Sequence, residues 1–396
     1  MANAIAPSAS FHYVMMGIKD ASLDEDKYAA PLVGIRQTDF EDGNEIETET
    51  DEGHTGVSNI DMGSYRTTAE SSPNWTDALR YGEGLEDMFY LILGKYTKTA
   101  HTESSSTVAG VYDYAFTQDL EDTTSELPLA TIYNGFAKTT TDARAFNNAM
   151  LNEVEFTFNS DELPKINPTF VSDYNTFNLL NPTRTFLTDY KKRFVKAPQT
   201  TIYLGEVGAT AEEMLANPVD CYTESSFTIN HNAESQACHG DDFGKNTKIM
   251  GARETTGSIT MPWTDASKYL ETEYEGYEKY SHVVSDEITN KQIWYKCEGG
   301  NIIYNDTETG VPYSTLIKFP EVEITSVTSP KSGTDAKDLT MEYNVLEKPA
   351  QSYMTVNIVT DLSALHIDST GVAFDTLLPT DPPFDEETET ETQSSP

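Results

Sequence analysis

Cysteines, basic residues and long apolar runs are all scarce in this sequence. The three cysteines (Cys221, Cys238, Cys297) show no Cys-x-x-Cys spacing, which excludes a disulfide framework and reads as free thiols. Lysine and arginine total 26 against 65 acidic residues, a formal charge of −39 with a pI of about 4.3. A surface so negative repels phosphate at long range. That excludes tight binding of DNA or RNA through basic contacts and disfavours adhesion to an anionic membrane. No run approaches the roughly 18 apolar residues of a membrane-spanning helix, and no basic-then-apolar segment opens the chain. Neither a span nor a signal peptide is therefore expected. The acidity fits adaptation to high salt, where the Debye length shrinks to about 3 Å at 1 M. The bases, 19 Lys and 7 Arg, argue against a strict form of that reading.

What the chain does have is aromatic and β-branched residues in short alternating runs. With 22 Tyr, 17 Phe and 3 Trp there is ample material for a core, so the chain is not disordered as a whole. Strands are expected at Val154–Phe158, Ser226–Asn230, Val322–Thr325, Leu339–Tyr343 and Met354–Ile358. One helix is clear: Leu85, Met88, Phe89, Ile92 and Leu93 share a stripe, and Gly94 closes it as a C-cap. A second is expected over 264–280, with Leu270, Tyr274 and Tyr277 on one stripe. A short third starts at the capping box Thr210 to Glu213 and stops at Asn217-Pro218. The fold class is mainly β.

Charge is concentrated at two places. Residues 41–52 hold seven acids and no base, with Ile46, Thr48 and Thr50 alternating against Glu45, Glu47, Glu49 and Asp51. A two-residue period of this kind suits an extended arm or a long hairpin. The stretch 378–396 is acidic and proline-rich and reads as a solvated tail.

The most informative feature is an internal repeat. Met62-Gly63-Ser64-Tyr65-Arg66-Thr67-Thr68 matches Met250-Gly251-Ala252-Arg253-Glu254-Thr255-Thr256 at an offset of 188 residues. Each block leads through a tryptophan, Trp75 or Trp263, into an expected helix with an acidic start. Each tryptophan reads as a core residue. Later, Glu153-Val154-Glu155-Phe156-Thr157 matches Glu321-Val322-Glu323-Ile324-Thr325, so the second copy is shorter in its middle, and the Thr/Ser/Gly stretch 97–110 reads as a loop that takes up the difference. Three matches in the same order favour duplication over chance. The units expected are a first domain over 1–180, a linker over 181–200, a second domain over 201–346, a strand extension over 347–377 and the acidic tail.

No catalytic constellation is present: no Walker loop, no Gly-x-Gly-x-x-Gly after a strand, no His-Glu-x-x-His and no Gly-x-Ser-x-Gly. Cys238-His239-Gly240-Asp241-Asp242 is dense in potential ligands but has no second matching pair for zinc, and residues 41–52 lack the spacing of an EF-hand. No catalytic residue, metal site or cofactor is expected.

Three stretches carry a family resemblance: Ser226-Phe227-Thr228-Ile229-Asn230-His231-Asn232 followed by Gly251 to Thr260, the helix segment Tyr81 to Gly94 ending in Leu-Gly, and Phe319 to Thr325 followed by Gly333 to Asn344. Together they resemble the major tail tube proteins of siphovirus-like phages and archaeal viruses, over about 60–345. The resemblance implies a structural protein, not an enzyme. Each domain would be a small β-sandwich with a flanking helix that lends strands to a β-barrel around a channel. Rings would stack into a tube through long arms, for which the candidates are Glu45, Glu47, Glu49 and Asp51 in the first copy and His231, Asn232 and Glu234 in the second. Two domains per chain imply a trimeric pseudo-hexamer ring, with a hexamer as the other possibility. The implied partners are tail terminator and tail tip proteins, a tape measure protein in the lumen, and genomic DNA that passes through without being held. The implied location is the virion tail, with assembly in the host cytoplasm. The competing expectation is a secreted or surface β-sandwich adhesin binding Ca²⁺; a β-rich carbohydrase has only abundant carboxylates in its favour.

Overall fold

The structure, a computed structural model, describes residues 12–18, 27–28, 33–35, 37–54, 59–118, 127–136, 143–173, 176–179, 193–195, 197–219, 221–236, 247–262, 290–304, 307–328, 338–348, 351–363, 365 and 372–373. The first strands are β1 (His12–Ile18), β2 (Lys27–Tyr28), β3 (Val33–Ile35), β4 (Gln37–Glu41), β5 (Glu45–His54), β6 (Asn59–Ser71) and β7 (Asn74–Ala78). After helix α1 (Leu85–Leu93) come β8 (Gly94–Glu103), β9 (Ser106–Gln118), β10 (Ala130–Phe136), β11 (Ala143–Asn159), β12 (Lys165–Asp173), β13 (Thr176–Leu179) and β14 (Thr200–Glu206). After helix α2 (Ala211–Leu215) come β15 (Glu224–Asn230), β16 (Glu234–Gln236), β17 (Thr247–Ile249), β18 (Glu254–Pro262) and β19 (Asn290–Tyr304). The last are β20 (Thr307–Thr328), β21 (Asp338–Val345), β22 (Thr355–Thr360) and β23 (Val372–Ala373). The protein is mainly β, and the ladders among the described residues are antiparallel.

Two sheets face each other across the core. The first runs β4-β7-β12-β11-β15-β18-β21-β20. A single row of Cα partners crosses all eight strands: Gln37, Asp77, Ile166, Phe156, Phe227, Gly257, Tyr343 and Ile324. The second runs β8-β9-β22-β20-β19-β14, sharing the long strand β20. A smaller sheet, β3-β1-β10-β11-β13, grows from the first half of β11. Alternation explains the layering. In β11 Val154, Phe156 and Phe158 are buried while Glu153, Glu155 and Thr157 face the other way, and β15 repeats this with Ser225, Phe227 and Ile229 inside.

Aromatic rings join the layers. Phe227 of the first sheet lies 5.2 Å from Tyr295 and 5.1 Å from Phe319 of the second, centroid to centroid, and 4.7 Å from Phe156. Helix α1 is wedged between them, with Phe89 stacked 5.5 Å from Phe156 and tilted 6.2 Å from Phe116. The apolar stripe of α1 is buried, and Gly94 closes the helix in the left-handed region (φ 81°). The capping box of α2 forms as its sequence predicts, Thr210 accepting from the Glu213 N–H.

Several sequence expectations change. The stretch 97–110 is not a loop but part of the β8–β9 hairpin, because its threonines favour strands and Ser104-Ser105, both at positive φ, supply the turn. The strand expected from Met354 begins at Thr355 and is inserted between β9 and β20, so the extension over 347–377 closes the second sheet across both halves of the chain. The helix expected over 264–280, Trp263, the cluster at 238–242 and the tail over 378–396 lie outside the described residues.

Candidate functional site: an acidic sheet face between two open edges

The first sheet divides into two four-stranded halves of the same pattern, β4-β7-β12-β11 and β15-β18-β21-β20. In each half the first two strands are separated in sequence by a hairpin, β5–β6 in one and β16–β17 in the other. Both hairpins leave the same rim, because their roots share one row: Glu41, Asn74, Thr169, Glu153, Asn230 and Glu254. The halves join where β11 meets β15, over seven rungs from Glu153–Asn230 to Asn159–Glu224.

The residues of the sequence repeat fall at these places in the ladders. Counted from the shared row, Asp77 stands in the first half where Gly257 stands in the second, and Trp75 where Thr255 stands. The block Met62, Gly63, Thr67 and Thr68 lies within the hairpin strand β6. The block Met250, Gly251, Thr255 and Thr256 instead straddles the entry to β18. The first hairpin, over 42–73, is longer than the second, over 231–253.

The proposed arm residues separate in the same way. Glu45, Glu47, Glu49 and Asp51 all lie on β5, and the ladder sets Glu45 opposite Glu70 and Glu52 opposite Asp61. Like charges directly opposite destabilise a hairpin, and the Thr68 hydroxyl offsets this in part by donating to Glu47. In the second hairpin Glu234 is exposed on β16. His231 is buried at the root, its N–H donated to the Asn152 carbonyl at 2.7 Å. Asn232 is a turn residue at φ 48°, its amide donating to the Ala252 carbonyl at 2.6 Å. Gly251 packs so closely beneath it that a Cβ would stand 2.7 Å from the Asn232 carbonyl oxygen.

The outward face of the first sheet is polar and one-signed. Its carboxylates are Asp39, Glu41, Glu153, Glu155, Glu224, Glu254, Asp338, Glu342 and Glu323, and Lys165 is the single base on these strand faces among the described residues. Amides and hydroxyls hold the acids in place: Asn230 donates to Glu153 at 3.0 Å, Asn167 to Glu155 at 2.9 Å and Ser326 to Glu342 at 2.8 Å. The remaining positions are mostly Thr, Ser and Asn, and Lys165 is paired with Glu162, so the face is dominated by repulsion of phosphates.

The sheet ends in two edges. Among the described residues β4 is laddered only to β7, and the end of β20 from Ile324 to Thr328 only to β21. Sequence reasoning missed β4 and therefore the first edge. The alternation around Phe40, which stacks 6.4 Å from the buried Trp75, was the signal available.

The inward face carries buried titratable groups. Asp77 lines a small cleft with Trp75, Arg80, Glu83, Met88 and Ile166. Burial pushes its carboxyl up to about 7 against the opposing pull of Arg80, whose Nη1 lies 2.6 Å away. Glu86, buried at the start of α1, is likewise pushed up to about 7 by burial while it accepts the Gly82 N–H and the Thr360 hydroxyl. Burial, then Arg253, push His231 down to about 3. Trp75 packs 5.3 Å from Phe170 as a core residue. Among the described residues no three His, Cys, Asp or Glu side chains are placed to hold a metal ion, and no helix is long and apolar enough to cross a membrane. Cys221 and Cys297 are free thiols, the second buried and pushed up to about 12 by desolvation.

Comparison of the sequence with protein-family models and with curated proteins finds no match.

Proposed function

We propose that this chain is a structural subunit of a virus tail tube, polymerising through stacked rings into a conduit for DNA. The carrying observation is the first sheet: two four-stranded halves joined edge to edge, ending in two further edges of the same kind. An open antiparallel edge is a template for another strand. The internal β11–β15 joint is then a template for the joint between chains, with the β20 edge of one copy meeting β4 of the next. Such a head-to-tail contact closes a ring when the rotation per copy closes. Three chains of eight strands each would enclose a channel roughly 45–50 Å across between backbones, from strands about 4.8 Å apart tilted about 40°.

The face composition and the hairpins support the same reading. An acidic face rich in Thr, Ser and Asn, turned toward the channel, would let DNA slide without sticking. Two hairpins rising from one rim are placed to reach the next ring, and the pattern they share supports a tandem duplication of one tube domain. On this reading the channel holds a tape measure protein before DNA transit, terminator and tip proteins cap the tube, and the protein resides in the virion tail after assembly in the host cytoplasm. The test is labelling: antibodies against the purified chain should decorate virus tails along their length. Decoration of heads or fibres alone, or of no virion, would sink the proposal.

A further inference from the structure

We infer that Asp173 couples the two hairpins, so that they hold or lose their pose together as one two-pronged unit. That this unit seats one ring on the next rests on the tube reading above; the coupling itself does not. Beyond the row of hairpin roots, β12 passes from β7 to β6. Its last rung with β7 is Thr169–Asn74, and Ser172 and Asp173 then ladder to Ser71 and Glu70 of the first hairpin. The buried Ser172 hydroxyl donates to the Ser71 carbonyl at 3.1 Å. By its backbone, Asp173 therefore supports the first hairpin.

By its side chain it holds the second. Lys248 of β17 places its Nζ 2.8 Å from one Asp173 carboxylate oxygen, and the Asn148 amide donates to the other at 2.6 Å. The Lys248 side chain is 4% exposed and that of Asp173 18%, so salt screens this pair little. Around the pair, the second hairpin is laid down on β11 and β12. Asn152, at the bulge of β11, accepts the His231 N–H on its carbonyl and the Ala233 N–H on its side-chain oxygen, each at 2.7 Å. Ala233 and Met250 pack with Met150, Val171 and Leu127 in a small apolar cluster. Removing one partner of a buried ion pair leaves the other uncompensated. Loss of the Lys248 charge therefore drives Asp173 toward water, against the rung that carries Glu70.

The experiment is hydrogen exchange, read by mass spectrometry on the full-length chain, with Lys248→Gln, Asp173→Asn and the double variant. Each single variant should speed exchange of the β16 and β17 amides about tenfold. The same variants should speed exchange over 68–71 by about threefold. The second effect is smaller because Arg144 and Asn134 separately hold Asp42 at the root of that hairpin. The double variant should match the singles, because both act through one pair. The control Lys165→Gln breaks an exposed pair with Glu162 at the opposite rim and should change neither hairpin. Thermal unfolding monitors folding of each variant. Loosening of the second hairpin alone, additive effects in the double variant, or wild-type exchange throughout would overturn the inference. Negative-stain imaging separates it from the tube reading. Rings of Asp173→Asn should stay unstacked where wild-type rings stack, and stacking equal to wild type would overturn the part of this unit in it. Both hairpins loosened, with no rings from any protein including wild type, would overturn the tube reading and leave the coupling standing.

Discussion

Gly257 shows how closely the interior of the first sheet is fitted. A Cβ there would stand 2.3 Å from the hydroxyl of Tyr343, which lies 2.9 Å from the Tyr295 hydroxyl, itself 2.9 Å from Ser225 Oγ. Gly257→Ala must displace that buried chain and should cost about 1–3 kcal/mol in urea unfolding. Phe227→Ala, which empties the centre of the aromatic cluster, should cost about 3–5 kcal/mol. The neighbouring outward Thr228→Ala should stay within about 0.5 kcal/mol.

Buried acids and the buried histidine give stability opposite pH slopes. Asp77 and Glu86 titrate near 7 in the folded state, above their ordinary 3.8 and 4.5. Their contribution is fully present below those ordinary values and is lost as pH rises through 7. His231 is held down at about 3 from 6.5, so its contribution is present above 6.5 and is lost as pH falls toward 3. Asp77→Asn should therefore flatten the loss of stability between pH 5 and 8, measured by urea unfolding at both. An unchanged slope would show that Asp77 does not titrate in that window.

At the scale of elements, strand β22 and the first hairpin make separable predictions. β22 is central in the second sheet, laddered to β9 through Thr117–Tyr112 and to β20 through Lys318–Ser314. Asn357→Pro removes a ladder donor there and should cost about 3 kcal/mol or more, exposing the edges of β9 and β20 to aggregation. Replacing 45–70 with a short turn should leave the melting temperature of the single chain nearly unchanged, because none of the described side chains of that hairpin belongs to the buried core. On the tube reading, the shortened protein should still close rings but fail to stack them, as seen by negative-stain imaging.

How far the sequence predicted these elements follows from their chemistry. Val154–Phe158, Ser226–Asn230 and the α1 stripe were legible because one face of each is apolar and the period is clean. The hairpin over 97–110 was not, since its residues are mostly exposed on both faces and its turn uses serines where glycine or asparagine is the usual signal. β4 is five residues with a bulge, too short for a period to register, and with it one half of the candidate surface stayed hidden. The acidity of the outward face could be read in sum but not placed. Only strand pairing shows that Glu153, Glu155, Glu254 and Glu342 share one side.

At the scale of the whole molecule, the account turns on one claim: the eight-stranded sheet closes on further copies of itself, three chains to a ring. The most direct measurement is native mass spectrometry of the purified chain at high salt, with two-dimensional class averages of the same sample. The account predicts a closed species of three 44.0 kDa chains, seen end-on as a ring with three-fold symmetry and six similar lobes around an open centre. A chain that stays single at every concentration and salt, or that associates without a central channel, would contradict it.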